Sequence, residues 1–355
     1  MNIAVLVSGG VDSSVALRLL KDQGHSVTAF YLKIWLEDEL SFLGTCPWQE
    51  DLQYVEAVCK QANVPLEMIS LQKEYWDKVV SYTISQVKAG FTPNPDILCN
   101  QQVKFGSFYE KIDSRFDAIA TGHYAQLFSH NNKQELHSAP DTIKDQTYFL
   151  SYLQQKQLQR VLFPIGHLQK FQVRELAQQY NLPNKDRKDS QGICFLGKLK
   201  FNEFLKYHLG ESEGPLIEIE TGKQWGTHNG FWYYTVGQRQ GIGLAGGPWY
   251  VAHKDPEKNS VYISRSYYSP EKHRSSFFIG NCNWISGTPP QATGLTVKLR
   301  HGQHMHNCTL DYTDNNHALV ILKERDQGIA PGQFAVFYEG TNCLGAGIIK
   351  NQSFA

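Results

Sequence analysis

No apolar run in the 355 residues approaches the length a membrane span requires. Paired cysteines are missing too. The seven present are an odd number with no repeated spacing, which argues against a disulfide framework and for a reducing compartment. The sequons at Asn307 and Asn351 carry no weight on that reading. The first 30 residues pattern as strand–helix–strand and not as a signal peptide, so the expected location is the cytoplasm, with no membrane partner. Net charge is absent as well, since 34 Lys and Arg balance 34 Asp and Glu. A whole-chain basic excess of the kind common in nucleic-acid binders is therefore excluded. The balance hides a local asymmetry. Residues 1–150 hold 12 basic and 18 acidic side chains, whereas residues 151–206 hold 10 and 4. The basic middle suits a local polyanion contact or a solvated helix face.

The most telling absence is a single residue. In Ser8-Gly9-Gly10-Val11-Asp12-Ser13-Ser14 there is no lysine, although a loop that handles a γ-phosphate normally ends in Gly-Lys-Ser/Thr. The flanks are those of an anion site. Ile3–Val7 is short, β-branched and uncharged, as a strand buried on both faces should be. Val11, Val15, Ala16, Leu19 and Leu20 then recur at helical spacing until Gly24. A strand, a glycine turn and a helix start direct unpaired N–H groups and the positive helix end at whatever occupies the turn. Gly9 and Gly10 permit close backbone approach, the serines add hydroxyls, and Asp12 is the expected magnesium partner. A glycine turn with a Ser/Asp cap is the plainer alternative.

Strand and helix patterns continue to alternate. Strands are expected at 26–32, 65–71 and 118–120, with helices at 51–62 and 76–88 and an irregular loop at 33–49. This is the pattern of a doubly wound parallel α/β sheet, in which the loops after Val7, Leu32 and Ala120 should meet in one crevice. Cys59 falls on an apolar helix face and reads as a core thiol. Thr92–Asn100 reads as a loop stiffened by Pro93 and Pro95, with Asp96 and Cys99 one helical turn apart. Lys185–Phe195 sets Cys194 beside a basic cluster that favours thiolate. Each cysteine alone reads as structural; together, in polar punctuated loops, they bring redox or sulfur chemistry level with that reading.

From about residue 207 the texture turns to β. Strands are expected at Phe231–Val236 and Trp249–Val251. Five more, at 296–300, 308–312, 318–322, 334–338 and 345–349, are spaced as a small antiparallel barrel would be. In the first of the five, Leu295, Val297 and Leu299 should face inward, and Thr296, Lys298 and Arg300 outward. Three patterns are expected to be decoys. Gly241–Gly246 matches a dinucleotide fingerprint, but strand follows it where a helix is needed; 192–198 matches a Walker loop except for Leu199 at the magnesium position. His301, His304 and His306 look like metal ligands, with 304 and 306 on one strand face. Lacking an acidic or thiol neighbour in sequence, they read as a polar surface.

SGGVDSSV at 8–15, TPNPDILCN at 92–100, KFG at 104–106, ATGHYA at 120–125, KDQTYFL at 144–150, KDSQGICF at 188–195, TVGQRQGIG at 235–243 and APGQFAVFY at 330–338 follow one another in this order. Together they closely resemble the tRNA-specific 2-thiouridylases, across nearly the whole chain. The resemblance implies a PP-loop ATP-binding catalytic domain over 1–206, a small β-rich domain over 207–270 and a C-terminal antiparallel β-barrel over 271–355. It implies sulfur transfer to C2 of the tRNA wobble uridine, with ATP and Mg²⁺ consumed to adenylate the C2 oxygen. Leu6, Val7, Ser8, Gly9, Gly10, Val11, Asp12, Ser13, Leu32 and Gly122 then match the ATP site. Cys99 matches the nucleophile and Cys194 the persulfide carrier, the two forming the catalytic disulfide, and Asp96 is a candidate acid or base. Asn94, Pro95 and Asp96 match the target-base segment; His123, Lys144, Asp145, Gln146, Arg300, His301 and Gln333 match tRNA contacts. The implied partners are a tRNA anticodon stem-loop and, as sulfur donor, a relay protein or cysteine desulfurase. No protein-held metal is implied beyond the Mg²⁺ that accompanies ATP. Leu32 stands where the family commonly has Met, and 36–46 departs from the commoner forms. The competing readings are an adenylating enzyme with a nitrogen nucleophile, and an RNA-binding protein with a silent ATP site.

Overall fold

A computed structural model describes residues 1–34, 47–112, 114–189, 201–266, 274–292, 294–326 and 328–351. The loop at 36–46, the near-Walker stretch at 192–198 and Cys194 lie outside the described residues.

The first sheet is parallel, built from β1 (Asn2–Leu6), β2 (Ser26–Lys33), β3 (Leu66–Ser70), β4 (Ala118–Ala120) and, later in the chain, the short Val161–Leu162. Its order is β3-β2-β1-β4-(161–162), so the direction of winding reverses between β1 and β4. That reversal opens the crevice at which ligands of such sheets bind. Ile3, Ala4 and Val5 are fully buried because both faces are covered. Ile3 and Val5 pack with Leu17, Val55 and Cys59, and Ala4 and Leu6 pack on the other side with Phe30 and Leu71. Burial of each of the Ile, Val and Leu side chains contributes about 1.5–3 kcal/mol. β3 is a partly exposed edge strand, with Met68 52% exposed.

Helix α1 (Val11–Asp22) follows β1, and α2 (Pro47–Ala62) begins four residues before the patterned start at Asp51. Cys59 is buried as expected, and burial pushes its thiol up to about 11. Helix α3 spans 72–88, with a π-wound middle at Trp76–Val80. The proline-rich stretch read as a loop is instead the start of a helix, α4, over 95–111. Pro95 sits at its first position, where the absent N–H costs nothing, and the Asn94 side chain accepts from the Ile97 N–H at 3.3 Å.

The hairpin of β5 (Ala125–His130) and β6 (Lys133–Ser138) escaped the sequence patterns. After it come α5 (Thr147–Leu150), α6 (Gln155–Leu158), β7 (the Val161–Leu162 strand), α7 (Lys170–Gln179) and α8 (Phe201–Leu209). The next sheet is small, in the order β10-β11-β8-β9, from β8 (Gly214–Glu218), β9 (Gln224–His228), β10 (Tyr250–Asp255) and β11 (Ser260–Ser264). The expected strand at Phe231–Val236 is not formed; Phe231–Tyr233 is a 3₁₀ turn. The aromatic run serves two cores and cannot lie flat in one sheet. Phe231 fills the small-domain core, while Trp232 and Tyr233 also pack against the catalytic body, where the Tyr233 hydroxyl donates to the Gly210 carbonyl at 2.6 Å.

The C-terminal strands are β12 (Arg274–Trp284), β13 (Leu295–Lys298), β14 (His306–Asp314), β15 (His317–Asp326), β16 (Phe334–Glu339) and β17 (Asn342–Ile349). They form a closed antiparallel barrel, in the order β12-β15-β14-β13-β16-β17, shut by Ile279 opposite Ile349. One edge of β17 is divided. Asn342 and Cys343 pair with His137 and Leu136 of β6, and Gly345 onward pairs with β12. At the crossover Gly345 has φ +133°, and a Cβ there would lie 2.0 Å from the Asn283 carbonyl oxygen, so only glycine fits. The barrel wall is thus joined to the catalytic body, and Phe334, Val336 and Tyr338 share a core with Phe30, Leu98 and Phe105.

This joint overturns one expectation. Leu295, Val297 and Leu299 do turn inward, but Lys298 on the opposite face is only 3% exposed. Its ammonium meets the Asp145 carboxylate at 2.9 Å, with both side chains almost wholly buried. Asp145 also accepts from the Thr147 hydroxyl at 2.9 and 3.0 Å, and that hydroxyl lies 3.1 Å from the Tyr338 hydroxyl. Among the described residues no helix is long and apolar enough to cross a membrane.

Removing one partner of a buried pair strands the other charge, at a cost of about 3–5 kcal/mol. Lys298→Met should therefore lower the urea midpoint markedly, and Lys298→Met combined with Asp145→Leu should recover much of the loss. An unchanged midpoint in the single variant would show that this pair does not hold the joint.

Candidate active site

Gly9, with φ +74°, turns the chain from β1 into α1. A Cβ there would come within 2.6 Å of the Asp51 carbonyl oxygen, so the loop is pressed against α2. Gly10 caps α1 without any side-chain hydrogen bond, which leaves first-turn N–H groups pointing into the crevice. The Ser13 and Ser14 hydroxyls donate to the Gly10 carbonyl at 3.1 and 3.0 Å, and the Asn184 amide donates to the Gly9 carbonyl at 2.8 Å and to the Ser14 hydroxyl at 2.9 Å. Across the switch point, a Cβ on Gly122 would lie 2.6 Å from the Ser13 nitrogen. The loops after β1 and β4 therefore touch, as the topology requires. Leu6, Val7 and Val11 are buried, Ser8 is exposed, and Leu32 is half-buried near the end of β2.

Asp12 is where the structure adds most. Lys170 donates to both of its carboxylate oxygens, at 2.7 and 2.9 Å, and the Tyr124 hydroxyl donates at 2.8 Å. The same ammonium reaches Asp189 at 2.8 Å. Asp189 is in turn held by Lys144 at 2.6 Å and Arg174 at 2.5 Å. Burial would raise the Asp189 carboxyl, but hydrogen bonds from Lys144 and Lys170 outweigh it and bring the group down to about 2. Lys170, Tyr124, Arg174 and Asp189 escaped sequence reading. Lys170 and Arg174 lie within the basic segment, but nothing in a linear pattern aims them at Asp12 or Asp189. Burial, followed by the Asp12 charge, pushes the Tyr124 phenol far up, so it stays a donor.

The residues matched to the target base lie on α4. Asn94 and Asp96 are half-buried, while Pro95 and Cys99 are buried, Cys99 to 1% exposure. Cys99 sits in an apolar core with Ile97, Leu98 and Val103, not in the polar loop expected of it, because the helix turns this face inward. Beside it, the Asn100 amide donates to the Phe149 carbonyl at 3.0 Å. The Phe149 ring lies 4.5 Å from that of exposed His301. The Tyr148 hydroxyl donates to the Phe334 carbonyl at 3.0 Å and to the half-buried Gln333 side chain at 3.4 Å. Gln146 accepts from the Tyr124 N–H at 3.0 Å. His123 packs between Phe105 and Phe163, with Nδ1 2.7 Å from the Thr121 hydroxyl. Burial, then Lys104, holds its imidazole neutral. Arg300 is exposed, whereas Asp145 is sealed into the barrel joint.

The dinucleotide-like stretch at 241–246 has no helix after it and leads into β10. The histidine pattern is different. His306 is 4% exposed, and Asp326 supplies the acidic neighbour that sequence alone did not reveal.

With this geometry in place, the comparisons are specific. The model of the tRNA methyl transferase HUP domain matches residues 1–198, that of the tRNA methyl transferase PRC-barrel domain 202–265, and that of the aminomethyltransferase β-barrel domain 274–349. The tRNA-specific 2-thiouridylase MnmA 1 of Bacteroides thetaiotaomicron is 44% identical over 355 residues, covering 98% of this chain and 99% of its own. The tRNA-specific 2-thiouridylase MnmA of Parabacteroides distasonis is 43% identical over 359 residues, covering 99% and 100%. That of Porphyromonas gingivalis is 43% identical over 359 residues, covering 98% and 99%. The chain belongs to the tRNA-specific 2-thiouridylase family. Membership agrees with a parallel-sheet domain followed by β domains. For this thiouridylase chain, the ammonium shared between Asp12 and Asp189 is the feature that the motifs do not reveal.

Because the Asp189 carboxyl is held low, its ionisation stabilises the fold fully above the ordinary carboxylate range, and that contribution is lost as pH falls through about 2. Lys170→Met removes one of the donors that hold it there. The acid limb of the unfolding curve, followed by circular dichroism from pH 5 to 1.5, should shift to higher pH. A superimposable curve would mean that Lys170 does not hold Asp189.

Proposed function

We propose that this chain carries out ATP-dependent 2-thiolation of the tRNA wobble uridine with the residues described above in defined roles. The observation that carries the reading is the uncapped start of α1 at the switch point, with Gly122 against Ser13 and Asp12 reaching into the same crevice. Leu6, Val7, Ser8, Gly9, Gly10, Val11, Asp12, Ser13, Leu32 and Gly122 bind ATP. Mg²⁺ fits the donor set because a cation already spans both Asp12 oxygens, in the form of Lys170. Asp12 would hold the ion, which supplies charge neutralisation of the departing pyrophosphate. Lys170 would remain anchored on Asp189.

The chemistry follows from the acceptor. The C2 carbonyl of uracil is a poor electrophile and its oxygen a poor leaving group, so O2 first attacks the α-phosphorus and pyrophosphate leaves. The terminal sulfur of a Cys194 persulfide attacks C2, and O2 departs with AMP. The Cys99 thiolate then attacks the Cys194 sulfur. The persulfide S–S bond breaks, its electron pair passes to the sulfur on C2, and 2-thiouridine is released with a Cys99–Cys194 disulfide that a thiol reductant must reopen. Asp96 moves the proton, an effect worth about 10²–10⁴ in rate. Asn94 and Pro95 receive the splayed base, whose unstacking costs a few kcal/mol and least in a single-stranded anticodon loop. His123, Lys144, Gln146, Arg300, His301 and Gln333 meet the tRNA, with Asp145 holding the barrel in place for them. The division at 1–206, 207–270 and 271–355 separates catalysis from two RNA-gripping β parts. The sulfur donor is a relay protein or a cysteine desulfurase, and the setting is the cytoplasm.

Purified protein with Mg²⁺, labelled ATP, unmodified tRNA and a persulfide source should release AMP and yield thiolated tRNA, read on a mercury-containing gel. Cys99→Ser and Cys194→Ser should each abolish thiolation. Asp12→Ala should still load persulfide on Cys194 yet release no AMP, and Lys170→Ala should reduce AMP release at least tenfold. ADP as product, or AMP without thiolated tRNA under proven sulfur supply, would overturn the proposal.

A further inference from the structure

At the mouth of the barrel, three potential ligands meet outside the ATP crevice. In the β14–β15 pairing Cys308 stands opposite Leu322. Just beyond that pair β14 begins at His306 and β15 ends at Asp326. His304 lies just before the strand, and its ring stands edge-on to that of His306 at the end of β15 where Asp326 sits. One ligand atom each from His304, His306 and Asp326 lies within 4.8 Å of the others. His306 Nε2 is 3.2 Å from Asp326 Oδ2, and the two histidine rings stand 4.2 Å apart. Ligands held about 2 Å from a tetrahedral ion are roughly 3.3 Å from one another, so the narrowest pair already has the required spacing.

We propose that His304, His306 and Asp326 form a binding site for a divalent transition metal of the zinc or cobalt class. His306 is 4% exposed, and its Nδ1 is buried with no hydrogen-bond partner. The ligand atom is the other ring nitrogen, Nε2, which faces a carboxylate in a ring that also abuts a second imidazole. The Asp326 carboxylate, 3.2 Å from His306 Nε2, provides the negative charge a cation needs. Nitrogen–nitrogen–oxygen donor sets with one open position suit zinc better than calcium or magnesium, which prefer all-oxygen sites. The open position would be taken by water. Arg300 is the competing cation, but its contact with Asp326 is long at 3.8 Å and its side chain is 59% exposed. Metal binding would therefore take Asp326 from Arg300 and turn the guanidinium outward. That last consequence rests on the reading of Arg300 as a tRNA contact; the site itself does not.

The test uses tag-free full-length protein, stripped with a chelator and titrated with Co²⁺ in the absence of tRNA. One equivalent should bind, with the intense visible bands of a four- or five-coordinate ion, and Zn²⁺ should displace it. His304 is exposed, so His304→Ala is expected to keep its far-ultraviolet circular dichroism while weakening Co²⁺ at least tenfold. Asp326→Asn should do the same and retain its contact with the Gly328 N–H. Weak six-coordinate spectra alone would overturn the site, as would affinity and bands unchanged in both variants. Failure here leaves the thiolation assay untouched, because that assay does not depend on metal at this position.

Discussion

One ammonium group ties the catalytic body together. Lys170 stands between Asp12, on the first turn of α1, and Asp189, which is also held by Lys144 and Arg174. The two carboxylates come from segments far apart in sequence, and neither would hold its place beside the other without an intervening cation. Like charges this close repel by an amount that water screens only partly in a half-buried crevice. The position of Asp12 thus depends on a helix, α7, that carries none of the recognisable nucleotide-binding motif.

The joint with the barrel works by a related device. The Asp145–Lys298 pair is sealed from water, so its geometry must be good and its remaining lone pairs satisfied, as the Thr147 hydroxyl accomplishes. Around it the packing is apolar, with Tyr338 and Phe334 on the barrel side and Tyr148 on the other. The pair lies where the barrel strand meets the catalytic body. Here it sets α5, and with it Gln146 and Phe149, against the strand that leads to Arg300 and His301.

Several errors in sequence reading share a cause. Lys298 alternates with apolar residues and so reads as solvent-facing, but alternation reports two faces without saying what covers the second. Phe231–Val236 reads as a strand because aromatic residues favour pleated surfaces, yet two cores compete for its rings. Thr92–Asn100 reads as a loop because of its prolines, although proline at the first helical position is well tolerated. His306 reads as surface because Asp326 is distant in sequence. In each case the deciding neighbour is a long-range one.

What the sequence determined by itself was local and compositional. It specified the strand–glycine–helix unit at residues 3–20, the alternation that makes a parallel sheet, the β texture of the C-terminal third, and motif order sufficient to place the chain in its family. These signals are legible because backbone geometry, side-chain period and turn chemistry act over a few residues. The tertiary structure alone decided that Cys99 is buried, that Asp145 serves the joint, that Lys170 spans Asp12 and Asp189, and that two histidines meet an aspartate. Charge pairing and burial are properties of surfaces brought together by folding, and no period along the chain encodes which surfaces meet.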